Sequence, residues 1–144
     1  MIHKYDPDFL DSCALVYMKT FSAPPWNENW SVSTARKYLA EFSDAPRFVG
    51  FVYSLSDKVI GAAFCHAKTW VCGEELFIDE FFISPDFQHK GFGTELMKTV
   101  EKYATDSGLT SVVLLTSCDK PSLGFYKALG FECATQMRFM FKDM

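Results

Sequence analysis

The segment FIDEFFISPDFQHKGFGTELM, residues 77–97, encodes a strand, a glycine loop and a helix in succession. It begins with closely spaced Phe and Ile residues, passes Pro85 into a polar loop that holds Gly91 and Gly93, and continues into a helix-forming sequence. The first N–H groups of a helix have no partners within the helix and attract an anion, and glycines let the backbone approach that anion closely. The segment therefore predicts an anion-binding loop between a strand and a helix.

The first 42 residues of the chain are predicted to form a short strand and two helices. The strand covers residues 2–5, and the Asp-Pro-Asp sequence after it supplies N-cap chemistry for a helix over residues 9–21. Two prolines end that helix, and Ser31 or Ser33 can cap a second helix over residues 34–42. An aromatic loop is expected between the two helices.

Three consecutive strands are predicted immediately before the glycine loop. They cover residues 47–55, 58–70 and 75–84, with Ser56-Asp57 as a hairpin turn and Cys72-Gly73 as a second turn. Short turns connect antiparallel neighbours, so we expect these three strands to pair in an antiparallel way.

The residues after the glycine loop complete an α/β order. Residues 94–108 have apolar positions at helical spacing, and residues 111–116 form an apolar run typical of a strand covered on both faces. We expect that strand inside the sheet, beside the strand that precedes the helix. A short helix over residues 121–130 and a final strand over residues 131–142 follow. The predicted order is β-α-α-β-β-β-α-β-α-β in a single domain, residues 1–144.

Composition excludes several classes of function. Fourteen Lys and Arg residues against 18 Asp and Glu residues give a net charge of −4 without a basic stripe, which argues against a nucleic-acid partner. The five cysteines are odd in number and lack CxxC spacing, so we expect no disulfide framework and no metal site, but reduced thiols in the cytoplasm. The chain has no apolar signal core and no apolar run of about 20 residues, so we expect no membrane association.

The glycine loop and a later segment carry a resemblance to a known family. The loop matches neither the dinucleotide fingerprint GxGxxG nor the P-loop. Instead, residues 77–97 resemble the fourth strand, pyrophosphate loop and third helix of the GNAT superfamily of acetyl-CoA-dependent N-acetyltransferases. CDKPSLGFYKALGF, residues 118–131, resembles the second cofactor segment of that family, with Asp119 where Asn is usual. The resemblance implies a mixed, mostly antiparallel sheet with helices on both faces, and acetyl-CoA as co-substrate.

The resemblance assigns two parts of the chain to acetyl-CoA. Backbone amides of the loop would surround the pyrophosphate, while the side chains of His89 and Lys90 either add positive charge or remain solvated. The main chain at the end of the fourth strand would pair with the pantetheine arm like an added strand. Asp119 can accept but not donate a hydrogen bond, which leaves the usual anchoring role open. The residues assigned to the cofactor are Phe82, Ile83, Gln88, His89, Lys90, Gly91, Phe92, Gly93, Thr94 and Asp119.

Transfer to an amine requires a base, a donor to the thioester carbonyl and an acid for the departing thiolate. Asp79 and Glu80 lie in the middle of the strand, where alternation predicts side chains on opposite faces. The resemblance implies that one of them is the base. Asp79 is preferred, a bulge in the strand would reverse the choice, and structural pairing of both carboxylates is the alternative. The backbone N–H near Ile83 is the expected carbonyl donor, and Tyr126 matches the general acid of the family.

The acceptor is expected to be a small-molecule amine. The loop between the first two helices commonly shapes the acceptor pocket in this family, and here it contains Trp26, Glu28 and Trp30, although both tryptophans can also be hydrophobic anchors. Trp70 either lines the same cleft or caps a hairpin. Aromatic faces with carboxylates suit a cation, which favours a small amine, a polyamine or an aminoglycoside-like acceptor. Acetylation of a protein or peptide N-terminus and a non-catalytic acetyl-CoA-binding module are the alternatives. Family members are often homodimers, but the sequence specifies no interface.

Overall fold

A five-stranded sheet forms the centre of the chain, and a computed structural model describes all 144 residues. The strands, in spatial order, are β1 (Ile2–Lys4), β2 (Phe48–Leu55), β3 (Lys58–Trp70), β4 (Gly73–Ile83) and β5 (Ser111–Leu114). The first four pair with their neighbours in an antiparallel way, and β4 pairs with β5 in a parallel way. The expected mixed, mostly antiparallel sheet is therefore confirmed.

Four helices flank the sheet, and the predicted side-chain cap forms at the second of them, whereas at the first the cap forms on a preceding 3-10 turn. The helices are α1 (Leu10–Ser22), α2 (Val32–Ser43), α3 (Phe92–Asp106) and α4 (Ser122–Ala128). The Asp6 side chain caps a 3-10 turn that leads into α1, and the Ser31 hydroxyl accepts a hydrogen bond from the Thr34 amide at 3.1 Å. None of these helices is both long enough and apolar enough to cross a membrane.

The apolar core has two layers, one on each face of the sheet. Alternate side chains of β2, β3 and β4 supply the two layers, as the period of a strand requires. The layer under α1 and α2 contains Val52, Ala62, Phe64 and Phe82. The layer under α3 and α4 contains Phe51, Cys65, Ile78, Leu96, Val100 and Tyr126. Helices thus cover both faces, as expected.

The predicted final strand is wrong. Residues 132–144 have no helix or strand, and their one backbone hydrogen bond runs from Met137 to Ala134 within a turn. Phe139 and Phe141 are 78% and 81% exposed. A strand requires hydrogen bonds along the edge of a neighbour, and this segment lies against none. The strand β5 is consequently an edge strand rather than an interior one, although it does lie beside β4 as predicted.

Candidate active site

The strands β4 and β5 separate and leave an opening at the edge of β4. Their parallel pairing ends at Ile78 and Leu114, whereas β4 continues to Ile83. The backbone of residues 79–83 therefore has no partner on the β5 side, although β3 pairs along its other side. An unpaired edge of this kind can accept an extended chain as an added strand.

Two residues of β4 direct their backbone groups into this opening. The Ser84 amide donates to the Ile60 carbonyl of β3 at 2.7 Å, so alternation turns the backbone N–H and C=O of Ile83 and of Phe81 away from β3. The Ile83 carbonyl accepts a hydrogen bond from the Gln88 side chain at 2.8 Å. The end of β4 and the glycine loop are thereby tied together.

The glycine loop turns sharply before α3. His89 and Gly91 have φ angles of 59° and 89°, in the left-handed region that favours Gly and tolerates His. A Cβ atom on Gly91 would meet no atom within 4 Å, so the space beside this backbone is open. The amides of residues 92–94 precede the first α3 hydrogen bond, which runs from Glu95 to Gly91 at 3.1 Å. The loop can therefore present several free N–H groups to an anion.

A cleft of about 400 Å³ joins the glycine loop to the open edge of β4. Of the predicted site residues, it is lined by Trp26, Phe82, Ile83, Gln88, His89, Gly91, Gly93, Thr94 and Tyr126. The other residues that line the cleft were not predicted from the sequence: Thr20, Phe21, Pro24, Pro25, Phe81, Pro121, Ser122 and Phe125. Most of these flank predicted residues in the chain, and the prolines that end α1 and precede α4 are the signal that could have found them.

Three predicted cofactor residues lie outside the cleft. The Lys90 ammonium donates to the Asp86 carbonyl at 2.7 Å, so this side chain folds back on its own loop. The Phe92 ring packs against Tyr53, with 5.3 Å between ring centroids. Asp119 is exposed in the turn before α4 and its side chain makes no hydrogen bond within the chain.

Three predicted acceptor residues also lie outside the cleft. Trp70 is 57% exposed at the tip of the β3–β4 hairpin, where it pairs with Gly73. Trp30 packs on Tyr38, with 5.2 Å between ring centroids, and its indole N–H donates to the Glu28 carboxylate at 3.3 Å. Trp26 therefore remains the one predicted acceptor residue that contacts the cleft.

A bulge in β4 places Asp79 and Glu80 on the same face of the sheet. Glu80 lies opposite Phe64 and Ile78 lies opposite Cys65, so Asp79 is an extra residue with no partner on β3. The expectation of opposite faces is wrong because this extra residue breaks the strict alternation of side chains. Both carboxylates lie on the α1/α2 side of the sheet, where Glu80 contacts the α2 residue Tyr38.

Asp79 forms a hydrogen bond with a histidine of the neighbouring strand. His66 Nδ1 lies 2.7 Å from Asp79 Oδ2, and the side chains are 31% and 10% exposed. Burial raises the pKa of Asp79, while the hydrogen bond and charge of His66 and the charge of Lys68 oppose that rise. Asp79 thus has cationic groups beside it. His66 was not among the predicted site residues.

Glu80 is more deeply buried and has no cationic partner. The Tyr38 hydroxyl donates to Glu80 Oε1 at 2.5 Å. Burial raises the pKa of Glu80 to about 7, against the lowering effect of hydrogen bonds from Tyr38 and Tyr17. A carboxyl group with a pKa near neutral pH can take up and release a proton under physiological conditions.

Tyr126 lies on the opposite side of β4 from Glu80. Its side chain is 9% exposed, packs against Phe81 and lines the cleft. Burial raises the pKa of Tyr126 above its ordinary value, and the negative charge of Glu80 adds to the rise. The phenol therefore stays protonated and is available as a hydrogen-bond donor within the cleft.

Comparison with known proteins identifies a family for most of the chain. Residues 15–131 match the model of the acetyltransferase (GNAT) family. An uncharacterized N-acetyltransferase of Methanocaldococcus jannaschii is 34% identical over 87 residues, which are 57% of this chain and 38% of that protein. A thialysine N-epsilon-acetyltransferase of Bos taurus is 27% identical over 70 residues, which are 48% of this chain and 41% of that protein. The matched region thus spans less than half the length of these two relatives.

Solved structures of acetyltransferases share the fold. An aminoglycoside N-acetyltransferase, AAC(6')-Iy in complex with CoA, superposes with a TM-score of 0.77 at 20% identity, covering 100% of this chain and 95% of the other. The aminoglycoside acetyltransferase meta-AAC0020 from an uncultured soil metagenomic sample, in complex with sisomicin, has a TM-score of 0.79 at 17% identity, with the same coverage. At these identities the similarity establishes the fold.

Proposed function

We propose, from the premise that the chain belongs to the GNAT acetyltransferase family, that it transfers the acetyl group of acetyl-CoA to a primary amine. The observation that carries this proposal is the unpaired edge of β4 beside the glycine loop. An extended arm that ends in a diphosphate fits both features, because the edge offers backbone hydrogen bonds and the loop offers N–H groups to an anion.

Different parts of the chain would bind the diphosphate and the pantetheine arm of acetyl-CoA. The loop amides from His89 to Thr94 would hold the diphosphate, since the Gln88 amide already donates to the Pro85 carbonyl at 3.4 Å, and the open space beside Gly91 allows close approach. The backbone groups of Phe81 would pair with the pantetheine arm in place of those of Phe82, which face β3, while the Ile83 carbonyl is already bonded to Gln88. Bound acetyl-CoA supplies the acetyl group as a thioester.

Glu80 is the proposed proton acceptor for the attacking amine. Its burial and its pKa of about 7 support this role, whereas Asp79 is held beside His66 and Lys68, whose charges favour its ionised form. This assignment reverses the preference for Asp79, and the bulge in β4 is the feature that was named as able to reverse it. Glu80 does not line the cleft, so the proton would reach it through water. Asp79 is then proposed to bind the cationic acceptor.

Two donors on the cleft side of β4 complete the proposed site. The Ile83 amide faces the opening and would polarise the carbonyl that is attacked, because a fixed N–H stabilises developing negative charge. The Tyr126 hydroxyl would donate a hydrogen bond to the departing sulfur. Since burial raises the pKa of Tyr126, we propose a strong hydrogen bond to the thiolate rather than a stable phenolate.

A small cationic amine is the proposed class of acceptor. Trp26 lines the cleft, and Asp79 and Glu80 supply negative charge on the adjacent face of β4. An aromatic face with nearby carboxylates favours a cation. One relative is named a thialysine N-epsilon-acetyltransferase, and one solved structure with the same fold is an aminoglycoside acetyltransferase in complex with sisomicin; acceptors of these kinds belong to the proposed class.

The test is release of free CoA from acetyl-CoA with a panel of small amines, polyamines, aminoglycosides and peptides. We expect turnover with at least one amine and none with the corresponding alcohol, in which a hydroxyl replaces the acceptor nitrogen. Calorimetry on the same sample should detect binding of acetyl-CoA without the acceptor. Turnover with peptides alone would contradict the small-amine proposal, and the absence of acetyl-CoA binding would contradict the site itself.

A further inference from the structure

The phenol of Tyr38 contacts Glu80, a half-buried carboxylate that has no cationic partner. Its hydroxyl lies 2.5 Å from Glu80 Oε1, and 42 positions separate the two residues in the chain. The Tyr38 ring is fixed by its neighbours: it lies 5.7 Å from the Tyr17 ring, 5.2 Å from the Trp30 ring and 4.8 Å from the Phe42 ring. Side chains of α1, α2 and the loop between them thus hold the hydroxyl in place.

The other charged and titratable groups around Glu80 do not replace Tyr38. Asp79 on β4 and Glu28 in the loop after α1 are both acidic and disfavour the ionised carboxylate. The Tyr17 hydroxyl on α1 also favours the ionised form, but less than Tyr38 does. No Lys, Arg or His forms a salt bridge with Glu80. Tyr38 is therefore the main group that stabilises the charge of this carboxylate.

We infer that Tyr38 is a positioning residue for catalysis, whose hydroxyl orients the Glu80 carboxylate and keeps it ionised at neutral pH. The inference rests on the proposed role of Glu80 as proton acceptor. Burial and the hydrogen bond to Glu80 raise the pKa of Tyr38, so its hydroxyl remains protonated and continues to donate. A hydrogen bond to a charged acceptor is stronger than one between neutral groups, so its loss should be visible in the pH dependence.

The variant Tyr38→Phe removes the hydroxyl and keeps the ring that Tyr17, Trp30 and Phe42 contact. The pKa of Glu80 should rise from about 7 by about one pH unit. The ionised fraction at about pH 7 would then fall about fivefold, with recovery of most of the rate at about pH 9. The measurement is kcat/KM against pH, with the best acceptor of the panel.

Tyr53→Phe is the matched control. The Tyr53 hydroxyl donates to the Glu95 carboxylate at 2.5 Å, so this variant loses the same kind of hydrogen bond at a different place in the fold. We expect kcat/KM of this variant to fall at low pH with the same midpoint as in the wild type. A shift equal to that of Tyr38→Phe would overturn the inference, because the effect would then not be specific to Glu80.

A second readout does not depend on activity. Carbon-13 NMR of protein labelled at the Glu side-chain carboxyls, with Glu80→Gln to assign the signal, follows the protonation of Glu80 itself. The pH at the midpoint of the Glu80 titration should be higher in Tyr38→Phe than in the wild type. An unchanged midpoint would overturn the inference. If Tyr38→Phe lowers kcat/KM equally at every pH, the role is structural and the inference is also wrong. If Glu80→Gln retains the wild-type rate, it is the proposed base that fails.

Discussion

Replacing Glu80 by Gln is expected to change how the stability of the protein depends on pH. Burial raises the pKa of this carboxyl from an ordinary value of 4.5 to about 7, so the folded state binds the proton more tightly than the unfolded state. The resulting stabilisation is complete below about pH 4.5 and is lost as the pH rises through about 7. At about 1.4 kcal/mol for each pH unit between these values, the loss is about 3 kcal/mol.

The assay compares the unfolding of Glu80→Gln and wild type across this pH window. Gln keeps the shape of Glu and an oxygen that can accept from Tyr38, so the substitution mainly removes the charge. From about pH 4 to about pH 8, the free energy of unfolding of the variant should rise by about 3 kcal/mol relative to wild type. In thermal unfolding this corresponds to a relative increase in Tm of roughly 10 °C.

A matched control separates burial from the loss of one negative charge. Glu41→Gln changes an exposed glutamate of α2 and lowers the net negative charge by the same amount. Its stability relative to wild type should vary with pH far less than that of Glu80→Gln. The raised pKa of Asp79 acts in the same direction in all three proteins and largely cancels in the differences. A constant difference between Glu80→Gln and wild type at every pH would refute the argument.

Four further substitutions test the other parts of the site. Tyr126→Phe should lower kcat about tenfold or more while leaving the calorimetric Kd for acetyl-CoA nearly unchanged; an unchanged kcat would remove Tyr126 from the reaction. Gly91→Val and Gly93→Val should each weaken acetyl-CoA binding about tenfold or more. Gly91 has a φ of 89°, which a Val residue rarely adopts, and a Cβ on Gly93 would lie 3.2 Å from the Phe125 ring. Normal affinity for acetyl-CoA in a folded variant would contradict the proposed binding of the diphosphate by the glycine loop. Asp79→Asn should raise KM for a cationic acceptor and keep the acid limb of the pH profile near that of wild type, whereas a shift of that limb would return the base assignment to Asp79.

Features that depend on neighbouring residues in the chain could be predicted from the sequence. The Ser31 cap of α2 and the turn at Ser56-Asp57 form as expected, because capping and turn chemistry act over a few residues. The same holds for the glycine loop, where a strand, a left-handed Gly91 and the first turn of α3 follow one another. The order of the elements followed from these local signals, apart from the final strand.

Features that depend on distant residues could not be predicted. The bulge at Asp79 exists only in relation to the register of β3, and alternation within β4 contains no sign of it. The contact between Tyr38 and Glu80 joins residues from α2 and β4, and Tyr38 appears in the sequence as an ordinary position of an amphipathic helix. Trp70 was predicted to line the acceptor cleft because it is aromatic, but the β3–β4 hairpin is long enough to place this residue at its tip.

The geometry of β4 is compatible with both of its proposed roles, in cofactor binding and in proton transfer. Backbone N–H and C=O groups lie in the plane of the sheet, whereas side chains project above and below it. The edge at residues 79–83 has no strand partner on the β5 side, and the Gln88 side chain is bonded there only to the Ile83 carbonyl. The bulge turns Asp79 and Glu80 together to the α1/α2 face, and Tyr126 lies on the other face beside Phe81. The proposed proton acceptor, the proposed cofactor edge and the proposed hydrogen-bond donor therefore lie in three separate directions around the same few residues, so none would obstruct another.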